Sequence, residues 1–455
     1  MKLFMSWGLV IGFACVSAMA CAEDGDKVKA KSATLEGMTA LHEAVMRNDL
    51  KECLSLIAAG ADVNASTIYS VTPMSIACTL GNASIAEAFI DSGADVGRAL
   101  PGKTTLLMIA SRSGNAGLVQ LLIDHGAPLD ASDRNQQTAL MWAAAAGNAD
   151  AIDVLAKNGA MIDAASSSDF TALGFAARQG QLSAAKHLVQ WGADLHRAMD
   201  PEDTKGRNPR KGMSALMLAI ESGHFELAKW LLDQGADPND QRSGYTPLHA
   251  ITWVRKTNRG DDVAGDPPPR GSGSLHSLEM VRELVAAGAD VNTPLRRGPS
   301  GRAKLNHRGA TAFLLASKTA DLPLLKLLHE LGADPLRTNI DGCTALMAAA
   351  GVGVVAVGEE AGTEPEVLAV IDWLVGLGID VNAVDANGET AMHGAAYRNY
   401  PLVVGRLSEL GTDPDVWNRK NQYGWTPVMI ASGQRPGSFK PSPETIAAIE
   451  RLLDR

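Results

Sequence analysis

The sequence is poor in the residues that build a reaction centre. It carries five cysteines in 455 residues, and no two of them form a Cys-x-x-Cys pair. Neither a zinc ribbon nor a c-type haem attachment is therefore written in the chain. No His-Glu-x-x-His and no Gly-x-Ser-x-Gly occurs, which removes the metalloprotease helix and the nucleophile elbow. The ten histidines are scattered. Aromatics make up only 5%, while Ala and Gly are abundant, a composition suited to helices stacked at close range. Positive charge is short as well: the formal net charge is −10, the opposite of a general nucleic-acid footprint, so no nucleic acid is expected as a partner. After Ala18 no apolar run approaches the roughly 20 residues of a membrane helix. No catalytic residue, metal site or cofactor is expected.

What is present begins with an export pattern. Lys2 precedes the charge-free run Leu3–Ala18, and "AMACA" offers small residues for cleavage after Ala20 or Ala22. Residues 1–22 read as a signal peptide and 23–36 as a polar lead, with an uncleaved anchor as the alternative. Cys21 follows Ala-Met-Ala and could carry the lipid of a bacterial lipoprotein, although Ala18 stands where that motif has Leu. The expected location is the periplasm or the cell exterior.

The rest of the chain repeats. "TALHEAV" starts at Thr39, and related stretches start at Thr72, Thr105, Thr138 and Thr171, each 33 residues after the last. The pattern resumes at Ser214, Thr246, Thr311, Thr344, Thr390 and Thr426, giving eleven units. A second mark, Gly followed by Ala-Asp in many units, lies 21 residues after the Thr, as at Gly60 and Gly93. Each Thr is placed to cap a short helix. Ala44, Ala77, Ala110, Ala143 and Ala176 fall where neighbouring helices approach closely. The Gly supplies the left-handed stop of a second helix. One unit cannot bury its own apolar face; stacking does so. Cys53 and Cys78 sit in adjacent units and read as buried thiols, with a disulfide as the alternative.

The period, T-x-L-x-x-A and G-A-D-V-N together resemble the ankyrin repeat, over Gly37 to Arg455. The resemblance implies an all-α solenoid of about eleven units, each a helix–turn–helix with a β-hairpin loop, and one solenoid over 37–455 with a capping helix near 443–455. It also implies a curved stack with a concave face of hairpins and first helices, which serves as a protein-binding scaffold without catalysis. A monomer is expected. "GAAYRNY" (Gly394–Tyr400) and "WNRKNQYGWTP" (Trp417–Pro427) are similar to stretches of exported bacterial ankyrin-repeat proteins.

Individuality lies where the period breaks. Three extensions fall on the hairpin side: His196–Gly212, Thr293–Ala310 and Asp413–Pro427. Two fall between the helices of a unit, at the opposite edge: Arg255–His276 and Gly351–Glu366. The hairpin-side fingers collect basic and aromatic residues in an acidic chain. Arg210, Lys211, Arg296, Arg297, Arg302, Lys304, Arg308, Trp417, Arg419, Lys420, Tyr423 and Trp425 are the candidate partner-binding residues. They suit an acidic protein partner, with an anionic polymer as the alternative. The competing readings are solvated loop tips and, for the two Trp, packing aromatics.

One stretch argues for chemistry. "GRALPGKTT" fits the phosphate-loop pattern at Gly97, Gly102, Lys103 and Thr104. A phosphate loop needs a buried strand before it and a helix after it, within a parallel sheet. The 33-residue phase instead puts a second helix and its exit turn before this stretch, so it reads as a surface hairpin. ATP with magnesium is expected to leave the melting midpoint unchanged, in the wild type and in Lys103→Ala alike. A nucleotide-dependent rise that Lys103→Ala abolishes would restore the phosphate-loop reading.

Overall fold

The computed structural model describes residues 37–202, 211–257, 268–355, 357–435 and 441–454. They form helix pairs in chain order: α1 (Ala40–Met46) with α2 (Leu50–Ala58), α3 (Pro73–Leu80) with α4 (Ala83–Asp91), α5 (Leu106–Ser113) with α6 (Ala116–Asp124), α7 (Ala139–Ala146) with α8 (Ala149–Lys157), α9 (Ala172–Gln179) with α10 (Leu182–Gln190), and α11 (Ala215–Glu221) with α12 (Phe225–Asp233). The series continues with α13 (Pro247–Arg255) and α14 (Ser277–Ala286), α15 (Ala312–Lys318) and α16 (Leu322–Glu330), α17 (Ala345–Ala350) and α18 (Glu364–Gly376), and α19 (Ala391–Arg398) and α20 (Pro401–Glu409). After the single turn α21 (Pro414–Trp417), α22 (Pro427–Ala431) and α23 (Pro443–Leu453) make the last pair. None of the described helices is long and apolar enough to cross a membrane.

The chain divides into two compact units, one up to Ala77 with Ser84–Asp95, the other Cys78–Ala83 with Val96–Arg455. In the second, the first helices α5, α7, α9, α11, α13, α15, α17, α19 and α22 stack in order. The second helices make another layer, α6 on α8 on α10, α12 on α14, and α16, α18, α20 and α23 in succession. Ala110, Ala143, Ala176, Ala219 and Ala250 are fully buried at the close approaches of the first layer.

Local chemistry explains the repetition. The hydroxyls of Thr105, Thr138, Thr171, Ser214, Thr246, Thr311, Thr344 and Thr426 each accept an N–H from the first turn of the following helix. Second helices end in a left-handed glycine, with crossed bonds that satisfy the free carbonyls. In the first unit Gly60 N donates to Ile57 O and Ala61 N to Leu56 O.

Two side chains tie one repeat to the next. His249 Nδ1 accepts the Thr246 N–H at 3.2 Å, which leaves Nε2 to donate to Ala310 O at 3.2 Å. His42 reaches Val71 O and His393 reaches Arg419 O in the same way. The Asn of the G-A-D-V-N mark also crosses. Asn292 Nδ2 donates to Gly332 O at 3.0 Å while its Oδ1 accepts Asp334 N at 2.8 Å, and Asn64, Asn239 and Asn382 repeat the clasp.

The loops are mostly turns. The one strand ladder among the described residues is β1 (Ala99–Leu100) antiparallel to β2 (Thr104–Thr105). It is the "GRALPGKTT" stretch. Gly102 and Lys103 adopt positive φ, and Gly102 O accepts Arg134 N from the next loop at 2.9 Å. The segment is a hairpin clasped by its neighbour, with no parallel sheet behind it.

The insertions fold onto the stack. Ser272 Oγ donates to Gly180 O at 3.3 Å, and Ser274 N and Oγ both donate to Glu226, so the end of the Arg255–His276 insertion runs across two repeats. In the Gly351–Glu366 insertion, Gly362 O accepts Tyr400 Oη at 2.6 Å, and the fully enclosed Arg398 guanidinium donates to Lys318 O, Ala361 O and Gly362 O. The two edges expected to stay apart meet here: any side chain at Gly353 would strike the Leu305 backbone of the Thr293–Ala310 finger. Cys53, Cys78 and Cys343 are free and buried.

The histidine bridges require a neutral ring. Burial pushes His249 and His393 down to about 4, below the ordinary 6.5. A depressed histidine gives stability that is complete above 6.5 and lost as pH falls toward 4, because only the unfolded chain takes the proton. The expected loss approaches roughly 3 kcal/mol per residue at full effect. Urea unfolding across that range checks it; a midpoint for the repeats carrying His249 and His393 that does not fall with pH contradicts it.

Candidate interaction site

The first-helix layer differs along its length. Every residue of α15, α17 and α19 is buried. The Thr293–Ala310 finger contributes to this cover, with Leu295, Ala303 and Leu305 each no more than 5% exposed. The open stretch is α5, α7 and α9. There Arg112 and Arg178 are exposed and Trp142 and Phe175 half-buried. The Arg112 guanidinium lies 5.0 Å from the Trp142 ring centre, and Arg178 lies 5.4 Å from Phe170, which packs on Phe175 at 5.1 Å. The Trp142 indole N–H is buried and has no acceptor among the described residues. At α15 and α17 the first-helix layer is thus covered by the chain's own inserted segments.

The candidate finger residues separate into three groups. Arg296, Arg297, Lys304, Arg308 and Lys420 are exposed, and among the described residues their side chains make no ion pair. Arg302, Tyr423 and Trp425 are engaged with one another. The Arg302 guanidinium sits 5.2 Å from the Trp425 ring and 5.8 Å from Tyr423, whose rings are 5.3 Å apart. This stack ties the Thr293–Ala310 finger to the Asp413–Pro427 loop, and such contacts contribute about 0.5–2 kcal/mol each. One expectation is corrected, and two other candidates are engaged within the chain while staying exposed. Trp417 is 2% exposed and belongs to the core, so it cannot meet a partner. Lys211 is paired with Asp200 at 2.6 Å. Arg419 folds its Nε back onto Asp415 O at 2.6 Å. Arg210 lies outside the described residues.

Beneath the finger is a small cavity absent from the sequence reading. Asp341, Asp385, Glu389, Cys343, Lys304 and Tyr423 are among its walls. Glu389 is 2% exposed. Its Oε1 accepts Tyr397 Oη at 3.0 Å and Asn421 Nδ2 at 2.9 Å, while Oε2 has no partner. Burial, with Asp385 close by, lifts the Glu389 carboxyl to about 8, and burial raises Asp385 too. The sequence did carry a signal. The residue before the repeat Thr or Ser is Met38, Val71, Phe170, Met213, Tyr245, Ala310, Cys343 or Trp425 in eight other units and the uncharged Thr104 or Gln137 in two, and Glu389 is the one carboxylate in that register.

Stacked helix pairs in two layers, with interlocking loops, define a helical repeat protein. The chain belongs to the ankyrin-repeat family. The family's description matches in three copies over residues 12–99, 107–199 and 195–256, and a second description of ankyrin repeats matches 364–401. The chain is 33% identical over 140 residues to zebrafish (Danio rerio) ankyrin repeat and SAM domain-containing protein 6, covering 30% of this chain and 17% of that protein. It is 34% identical over 143 residues to neurogenic locus notch homolog protein 1 of Xenopus tropicalis, covering 28% and 5%. With the mouse (Mus musculus) B-cell lymphoma 3 protein homolog it shares 30% over 142 residues, covering 30% and 24%. The chain thus spans a quarter or less of the length of these relatives. The solved human ASB11 ankyrin repeat domain aligns with 58% of this chain and all of that domain, at TM-score 0.45 and 19% identity. These relatives are animal proteins, so they support the ankyrin-repeat family and not the narrower exported bacterial group.

A carboxyl raised by burial gives stability that is present below its ordinary 4.5 and lost as pH climbs toward 8. Glu389→Gln keeps an acceptor for Tyr397 and removes that cost. It should raise stability near neutral pH by up to about 3 kcal/mol and flatten the pH dependence over this interval. Equal unfolding midpoints for variant and wild type on both sides of it would contradict the assignment.

Proposed function

We propose that this chain is an exported, non-catalytic scaffold that holds a protein partner on the open face of α5, α7 and α9 and on the basic finger beyond it. The observation that carries this reading is the row of Arg112, Trp142, Phe175 and Arg178. Arginine and tryptophan are the side chains that dominate interface energetics, and here the Arg112 guanidinium lies 5.0 Å from the Trp142 ring. Export is supported by Lys2, the apolar Leu3–Ala18 run and the small residues up to Ala22, with Cys21 as a possible lipid attachment point. The monomer is part of the proposal.

The finger supplies charge. Arg296, Arg297, Lys304, Arg308 and Lys420 favour an acidic surface, speeding encounter more than deepening affinity. The same unpaired cations support a second reading, binding of an anionic polymer. The two differ in salt response, since polymer binding through counterion release falls steeply with salt.

Once the partner has been identified by crosslinking in the cell, Trp142→Ala is expected to weaken it by about 2 kcal/mol, close to thirty-fold. Reversal of Arg296, Arg297 and Arg308 to Glu should slow association while the melting curve stays that of the wild type. Arg302 is left out, because it packs on Trp425. Undiminished binding by the Trp142 variant overturns the face assignment. Polyphosphate binding with a steep salt slope, lost in the charge-reversed variant, would favour the polymer.

A further inference from the structure

The cavity under the finger combines three features. Its walls bring together three carboxyl groups, Asp341, Asp385 and Glu389, and Lys304 at the rim forms no ion pair with any of them. Glu389 is almost wholly enclosed, yet Oε2 is unsatisfied. An orphaned buried oxygen costs about 1–3 kcal/mol, so its retention asks for an occupant. The space is also small, roughly 10 Å³ for the centre of a water-sized group, enough for one such group.

We propose that this cavity binds a single primary ammonium group, the tip of a lysine side chain presented by a protein partner. An ammonium is water-sized, donates three hydrogen bonds and carries the missing positive charge. Glu389 Oε2 offers one unsatisfied acceptor, and Asp341 and Asp385 are among the same walls. Tyr423, half-buried in the same walls, is the side chain that a methylene stem would meet.

A metal ion fits less well. Among the described residues no three His, Cys, Asp or Glu side chains gather with metal-ligand spacing. The nearby Asx oxygens are already committed. Asn339 Oδ1 accepts the N–H groups of Asp341 and Cys343, and Asp385 Oδ1 those of Asn387 and Glu389. That leaves too few oxygens for the six to eight that calcium takes. The groups facing Glu389 are Asp385 and Asp341 from the loops, Tyr397 from α19, Asn421 and Tyr423 from the last loop, Cys343 before α17 and Lys304 from the finger.

The test needs no partner protein, so its outcome is separate from that of the scaffold reading. Thermal unfolding of the full chain is followed near neutral pH with n-butylammonium, tetramethylammonium, sodium or calcium at matched ionic strength. Carbon NMR of the glutamate carboxyls reports Glu389 in parallel. The proposal expects n-butylammonium alone to raise the midpoint, to lower the apparent Glu389 pKa by about one unit or more, and to lose both effects in Glu389→Gln. Asp341→Asn, a second neutral isostere at the rim, should weaken the response several-fold. An equal response in Glu389→Gln, an equal or larger response to tetramethylammonium, sodium or calcium, or no response at all, as for a cavity that holds water only, overturns it.

Discussion

The structure depends on a constraint of small size. At one fixed place in the first helices stands an alanine with no exposed surface, and the neighbouring first helix closes over it. No unit hides this face alone. Stability is therefore a nearest-neighbour property, in which each repeat is held by the one beside it. The polar ties follow from the same proximity. Because the backbones come so close, one imidazole can be fixed by its own Thr and still reach the next repeat's carbonyl, and one Asn can clasp the next turn at two points.

Breaks in the period alter how this surface is used. Where the units follow each other at 33 residues, as in α5, α7 and α9, the first-helix layer stays open and displays Arg112, Trp142 and Phe175. Where described residues of the later insertions lengthen a unit, the extra chain returns to the stack. The Thr293–Ala310 finger lies against Gly353 and is tied to Trp425 through Arg302. The Gly351–Glu366 insertion is closed by an enclosed guanidinium that donates to three carbonyls. The cover also creates the polar cavity, since a buried acid at position 389 is tolerated only beneath a roof that carries its own hydrogen-bonding groups.

The sequence made the fold legible to a high degree. A phase kept over many units places Thr, Ala and Gly by number, and each has a local physical role that survives in three dimensions: the cap, the close approach, the left-handed stop. It also disposed of the phosphate-loop match, because the phase left no room for a parallel sheet. The finger was legible as a finger, but not in its direction. Charge and composition say that Arg296 and Arg302 share a loop; they do not say that one faces water and the other lies on two aromatic rings. Trp417 stayed between two readings for a related reason, since an aromatic beside basic residues looks alike whether it faces solvent or the core.

What the sequence determined by itself was the repeating unit and the class of scaffold, because those rest on interactions spanning a few residues or one period. Tertiary structure alone decided which face stays open, which cations are free, and that Asp341, Asp385 and Glu389 surround one small space. Those facts arise from inserted segments that cross several repeats, and the length of an insertion leaves its landing place undetermined.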